Sequence, residues 1–169
     1  MSLSTKVDTY VVETNVHFPT DINLTWDCAR KCLDMTRYIV EELGWLPEWR
    51  QIKDWRNKLR RNYHQCSEIH RKKGNNYQNR LERSVKKYLN CCLTISQKID
   101  NTLKDKSIGH TITSALLTQE LDRYKKLLDK HIDLVERRIL KGEKIPHQEK
   151  MFSIFEPHTE WLNKGKLHK

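Results

Sequence analysis

Along most of this chain apolar residues recur every three or four positions, the spacing that lines up one face of an α-helix. Leu24, Cys28, Cys32, Met35, Ile39 and Leu43 form the first such stripe. It opens at the Pro19-Thr20-Asp21 break, whose side-chain oxygens can cap a helix, and closes at Gly44, so a helix is predicted over 22–43. A second stripe, Trp49, Ile52, Trp55, Leu59, Tyr63, Cys66 and Ile69, follows Pro47 and stops at Gly74. The third runs from Tyr77 through Leu81, Val85, Tyr88, Cys92, Ile95 and Ile99 to Leu103. The fourth carries Leu117, Leu121, Tyr124, Leu128, Ile132, Val135 and Ile139 to Gly142. At 1.5 Å per residue each of these last two helices reaches about 45 Å. The breaks between them are short, which predicts antiparallel hairpins packed like a coiled coil, with Leu81, Tyr88, Ile95, Leu121, Leu128 and Val135 buried.

Two stretches have no helical period. KVDTYVVETNVHF, residues 6–18, is rich in β-branched and aromatic residues and predicts a strand over about 7–13, with a second near Val16. Met151 to Phe155 has the same character. Strands this short are unstable apart, so the two are expected side by side. The expected fold class is mainly α: a long antiparallel helical arm inserted between two strands of an incomplete α+β core. Residues 1–21 and 146–169 supply the strand blocks, and 22–145 the helical insertion.

Composition narrows the function classes. The chain has 169 residues, one domain's worth, with 37% apolar and 32% charged residues and a mean hydropathy of -0.83, a balance that suits helices burying one stripe each. No uncharged apolar run approaches the roughly 18 residues of a membrane span, and MSLSTKVDTY lacks the apolar stretch of a signal peptide. A cytoplasmic protein without a membrane partner is expected. Five cysteines without a regular framework fit reduced thiols. Cys28, Cys32, Cys91 and Cys92 lack C-x-x-C spacing and sit at or beside stripe positions, so they read as buried thiols rather than zinc ligands. No Gly-rich phosphate loop, G-x-S-x-G or H-E-x-x-H pattern is present, which removes nucleotide-cradling, serine-hydrolase and zincin readings.

Net charge is +10 and uneven: −3 over residues 1–47, +6 over 48–73, +4 over 74–119 and +3 over 120–169. The +6 segment holds Arg50, Lys53, Arg56, Lys58, Arg60 and Arg61, then Arg71, Lys72 and Lys73, with Trp49 and Trp55 interleaved. Cations on a fixed surface suit phosphate contacts, and the first six, with Lys164 and Lys166, are the candidate DNA-binding residues. A solvated face with both tryptophans in the core fits the same pattern equally well. Asp8, on the predicted first strand, is the candidate catalytic carboxylate and metal ligand, since two-metal phosphoryl transfer needs carboxylates fixed on rigid backbone. Glu13 falls on the opposite strand face and Asp21 reads as a helix cap. Glu156, His158 and Glu160 cluster after the last strand.

The blocks VDTYVVETNVHFPTDINLTWDCARKCLD and GEKIPHQEKMFSIFEPHTEWLNKGK together resemble transposases of bacterial insertion sequences of the DDE type. The resemblance implies an RNase H-like core that cuts and joins DNA with Mg²⁺ or Mn²⁺, with the first catalytic carboxylate at Asp8. It also implies transposon-end DNA as partner, alongside the rest of the transposase or a second copy, and a nucleoid-associated location. The family continues past Lys164-Gly165-Lys166 into strands bearing a second Asp and a Glu, so the chain is expected to be an internal segment or a truncated copy. The alternative is a non-catalytic helical protein that binds DNA or oligomerises. Dependence of binding on a divalent metal separates the two.

Overall fold

The computed structural model describes residues 21–155 except 44, 45, 106, 107, 109, 110 and 152. Four α-helices account for most of them: α1 (Asp21–Leu43), α2 (Ile52–Lys72), α3 (Tyr77–Lys104) and α4 (Ile112–Val135). A short 3₁₀ turn, Pro47–Trp49, precedes α2, and the last turn of α4 widens into a π-helix over Glu136–Leu140.

The side-chain links fix the arrangement. The start of α1 meets the end of α4, where the Thr25 hydroxyl reaches the His131 carbonyl and Arg138 pairs with Asp21 at 2.7 Å. At the other end the Thr111 hydroxyl donates to Glu42 at 2.6 Å. On α2 and α3, Cys66 lies 3.2 Å from Ser84 and His70 lies 2.9 Å from the Tyr77 hydroxyl, so these helices are also antiparallel. Arg56 to Asp34 joins α2 to α1, and Ser96 to Asp129 joins α3 to α4. The helices form an antiparallel four-helix bundle in which α1 packs chiefly on α4 and α2 chiefly on α3.

Sequence chemistry explains the ends. Thr111 is extended, accepts from the Ser114 backbone N–H and offers its own N–H to the Ser114 hydroxyl, closing a capping box. Between α2 and α3 the backbone reverses through Gly74 at φ +89 and Asn76 at φ 54, left-handed conformations that these residue types adopt most readily. The core runs through all four helices, and the six residues expected inside, Leu81, Tyr88, Ile95, Leu121, Leu128 and Val135, are all buried. Trp49 is buried as well, its indole N–H donating to the Thr102 hydroxyl at 2.7 Å.

Two expectations of the fold are corrected. The helices do not form an arm projecting from a sheet, because α1 carries its own apolar stripe and closes the bundle against α4. There is also no strand among the described residues. Residues 151 and 153–155, expected to pair in a sheet, run without strand pairing. Ile154 is buried in the helical core, and the Phe155 ring stands edge-on to Tyr124 at 6.4 Å. The β-like composition there reflects apolar anchoring onto helices. The other expected strand, about 7–16, lies outside the described residues.

Candidate nucleic-acid interface

The two halves of the bundle differ sharply in charge. Helix α2 carries seven Lys/Arg against two Asp/Glu, and α3 six against two, giving the hairpin a net +9. Helix α1 carries three against five and α4 four against four, a net −2.

Helix α2 is the outermost element. Only Leu59, Cys66 and Ile69 of its 21 residues are buried. The six described candidate cations, Arg50, Lys53, Arg56, Lys58, Arg60 and Arg61, are all exposed. They are not equally available. Arg56 is engaged with Asp34 of α1 at 3.0 Å. Lys58 lies over the Trp55 ring, 4.9 Å from its centroid, and Arg60 donates weakly to His64 at 3.4 Å. Among the described residues, Lys53 and Arg61 have no carboxylate in ion-pair range. Near the far end of α2, Lys72 hydrogen-bonds Glu68 at 2.6 Å and holds that carboxyl below its usual range.

Antiparallel packing brings α3 alongside, and its outward cations Arg80, Arg83, Lys86 and Lys87 extend the basic surface. Three open concavities lie along this basic surface. One is lined by Arg50, Trp55 and Lys98, the next by Trp55, Lys58 and Arg61, and the third, toward the Gly74 turn, by Lys72, Arg80, Arg83 and Lys87. Sequence reasoning missed the contribution of α3, whose cations are diluted by the apolar stripe. The available signal was the +4 of residues 74–119 combined with helical spacing.

The tryptophans interleaved with the basic segment have different fates. Trp49 belongs to the core, whereas Trp55 is half-buried and packs against the core from outside, with Lys98 of α3 over its ring. The cysteines are all free and buried. Burial pushes the thiols of Cys28, Cys32, Cys66, Cys91 and Cys92 up, which keeps them protonated and unreactive. Among the described residues no three His, Cys, Asp or Glu side chains are grouped to hold a metal. Asp8, Lys164 and Lys166 lie outside the described residues, as do Glu13, Glu156, His158 and Glu160.

No family model matches this chain, and neither a curated protein nor a solved structure matches it. Together with the absence of a sheet among the described residues, this overturns the resemblance to DDE transposases. An RNase H-like core is built on a central sheet, and the described part of the second block that suggested it has no strand and anchors Ile154 in a helical bundle instead. The transposase, its two-metal chemistry and its Mg²⁺ or Mn²⁺ go with that correction. No helix among the described residues is long and apolar enough to cross a membrane.

Proposed function

We propose that this domain is a helical nucleic-acid-binding module that contacts phosphates through the outer face of the α2–α3 hairpin. The observation that carries the reading is the +9 hairpin, whose cations lie together on the exposed side of one antiparallel pair. Such a surface attracts a polyanion by releasing its condensed counterions, and the attraction is independent of base sequence. Helical backbone holds the cations at fixed spacing: Lys53 and Arg60 are seven residues apart, about 10 Å along the axis at 1.5 Å per residue. We read its place of action as the cytoplasm, with the nucleoid.

The test is a salt titration of duplex DNA affinity, without divalent metal, for the native chain and for Lys53→Ala/Arg60→Ala/Arg61→Ala. For every phosphate that the variant no longer neutralises, the log-log salt dependence should flatten by about 0.9, and affinity should fall for duplexes of any sequence. Equal slopes for the two proteins would remove α2 as the binding face.

A further inference from the structure

Trp55 lines two of these concavities, and both have cationic walls. Lys58 Nζ lies 4.9 Å and Lys98 Nζ 5.5 Å from the ring centroid, the two lysines coming from different helices. Lys98 also donates to the Glu48 carbonyl at 3.0 Å, so its stem is fixed across the tryptophan. Gln51 lines both concavities and Asn57 one of them, so amide-bearing residues share these concavities with Trp55.

A rigid double helix gains nothing from an aromatic face, because its bases are already stacked on each other. An unpaired base does gain: stacking on an aromatic ring is stronger than the contact of an exposed ammonium with the same ring. The base can therefore take the place of a lysine Nζ over Trp55, and the released ammonium moves to the flanking phosphate. Amides near the ring can meet the exposed base edge, as in recognition of single strands. Glu48 and Asp54 are the acids at the rim. The Glu48 carboxylate accepts from the Asn101 side-chain amide at 3.0 Å, which holds it toward α3.

We infer that Trp55 is a stacking platform for an unpaired nucleobase, with Lys58, Lys98 and Arg61 holding the phosphates on either side, so that the domain prefers single-stranded or locally opened nucleic acid. The inference rests on the nucleic-acid reading above and adds the class of strand.

The experiment measures affinities of the full chain for an oligo-dT, an oligo-rU of the same length and a duplex, in native protein, Trp55→Leu and Trp55→Phe. Leucine keeps apolar bulk for packing but has no π face, and phenylalanine keeps a smaller one. Trp55→Leu should weaken single-strand binding by about 5- to 100-fold, with duplex affinity within about twofold of native and Trp55→Phe in between. Loss on only one of the two oligomers identifies DNA or RNA as the source of the base and supports the platform. Equal loss on single strand and duplex, or no loss on either oligomer, overturns it. Thermal melts of each variant separate a stacking loss from unfolding, since a folding defect lowers all three affinities together. The nucleic-acid reading fails separately: it falls if the native chain binds none of the three ligands. It survives if native binding is salt-dependent and only the Trp55 variants are silent.

Discussion

The α1–α4 pair and the α2–α3 pair are built from the same material, amphipathic helices of similar length, yet they do different work. Nine of the 23 residues of α1 are buried, against three of the 21 of α2. Charges on the first pair are largely neutralised: Arg37 by Glu41, Arg138 by Asp21, Lys126 by Asp122, and Lys125 jointly by Asp129 and by Asp100 of α3. On the second pair most cations face solvent, and the pairs with described carboxylates are Arg56 with Asp34 and Lys72 with Glu68. A bundle can concentrate unpaired like charge on one hairpin because apolar burial elsewhere outweighs the repulsion. The surface proposed to bind and the interior that stabilises can then be altered independently.

The strongest test of that separation is Leu128→Ala on α4. Leu128 is fully buried, and truncation should cost about 2–5 kcal/mol in a denaturant titration, with the salt slope of DNA binding unchanged in the folded protein. A loss under about 1 kcal/mol would contradict the core described for α4.

Next in size is a pH effect from the same half. His131 is buried with both ring nitrogens lacking a hydrogen-bond partner. Burial pushes its pKa down to about 4; the nearby Asp21 carboxylate works against that shift and Lys130 adds to it. The unfolded chain takes up the proton near the ordinary 6.5. The neutral imidazole therefore contributes fully above pH 6.5, and stability is lost as pH falls from there toward 4. The total is about 3 kcal/mol, at roughly 1.36 kcal/mol for each pH unit that separates the folded and unfolded values. His131→Leu should flatten this part of a pH-stability curve, and an unchanged curve would exclude His131 as its source.

A smaller effect is expected at the capping box. Thr111→Ala removes the acceptor for the Ser114 N–H and the link to Glu42, and should cost about 1 kcal/mol, read as a lowered Tm. The smallest change belongs to the basic half: Lys53→Ala/Arg60→Ala/Arg61→Ala should shift stability by less than about 0.5 kcal/mol per site while it weakens DNA binding. A large fall in Tm from these exposed substitutions would show that the two halves are not separable.

Two of the helices were legible to their ends because their stripes stop at glycines that turn the backbone. Gly74 and Gly142 adopt positive φ where the second and fourth patterns stop. Pro47 opens a 3₁₀ turn, however, and α2 begins only at Ile52, because Trp49 turns into the core to reach Thr102. The expected strand near 151–155 was misread because β-branched and aromatic residues signal a surface to be covered, and helices cover it here. The closure of α1 on α4 depends on contacts between residues more than 100 positions apart, such as Thr25 with His131, which periodicity cannot reveal. For the candidate interface, the α2 cations could be read directly. The split between Trp49 and Trp55 could not, since both occupy stripe positions and only the packing of α3 decides which is covered.

The wide turn at the end of α4 resets the phase of that helix. A π turn accommodates one residue more than an α turn, so it rotates everything after it relative to the stripe before it. Here Ile139 and Leu140, adjacent in sequence, both pack against the core, while Arg137 reaches Asp133, Glu143 and Glu149 at 3.2, 2.8 and 2.6 Å. The contacts to Glu143 and Glu149 bind the chain after Lys141 back onto the helix. Deleting one residue within 136–140 would restore regular winding, but it would swing the Arg137 guanidinium out of register with its carboxylates and carry Arg138 away from Asp21 of α1. A single insertion of this kind thus acts as a latch, in which the count of residues, more than their identity, decides whether the last segment stays closed.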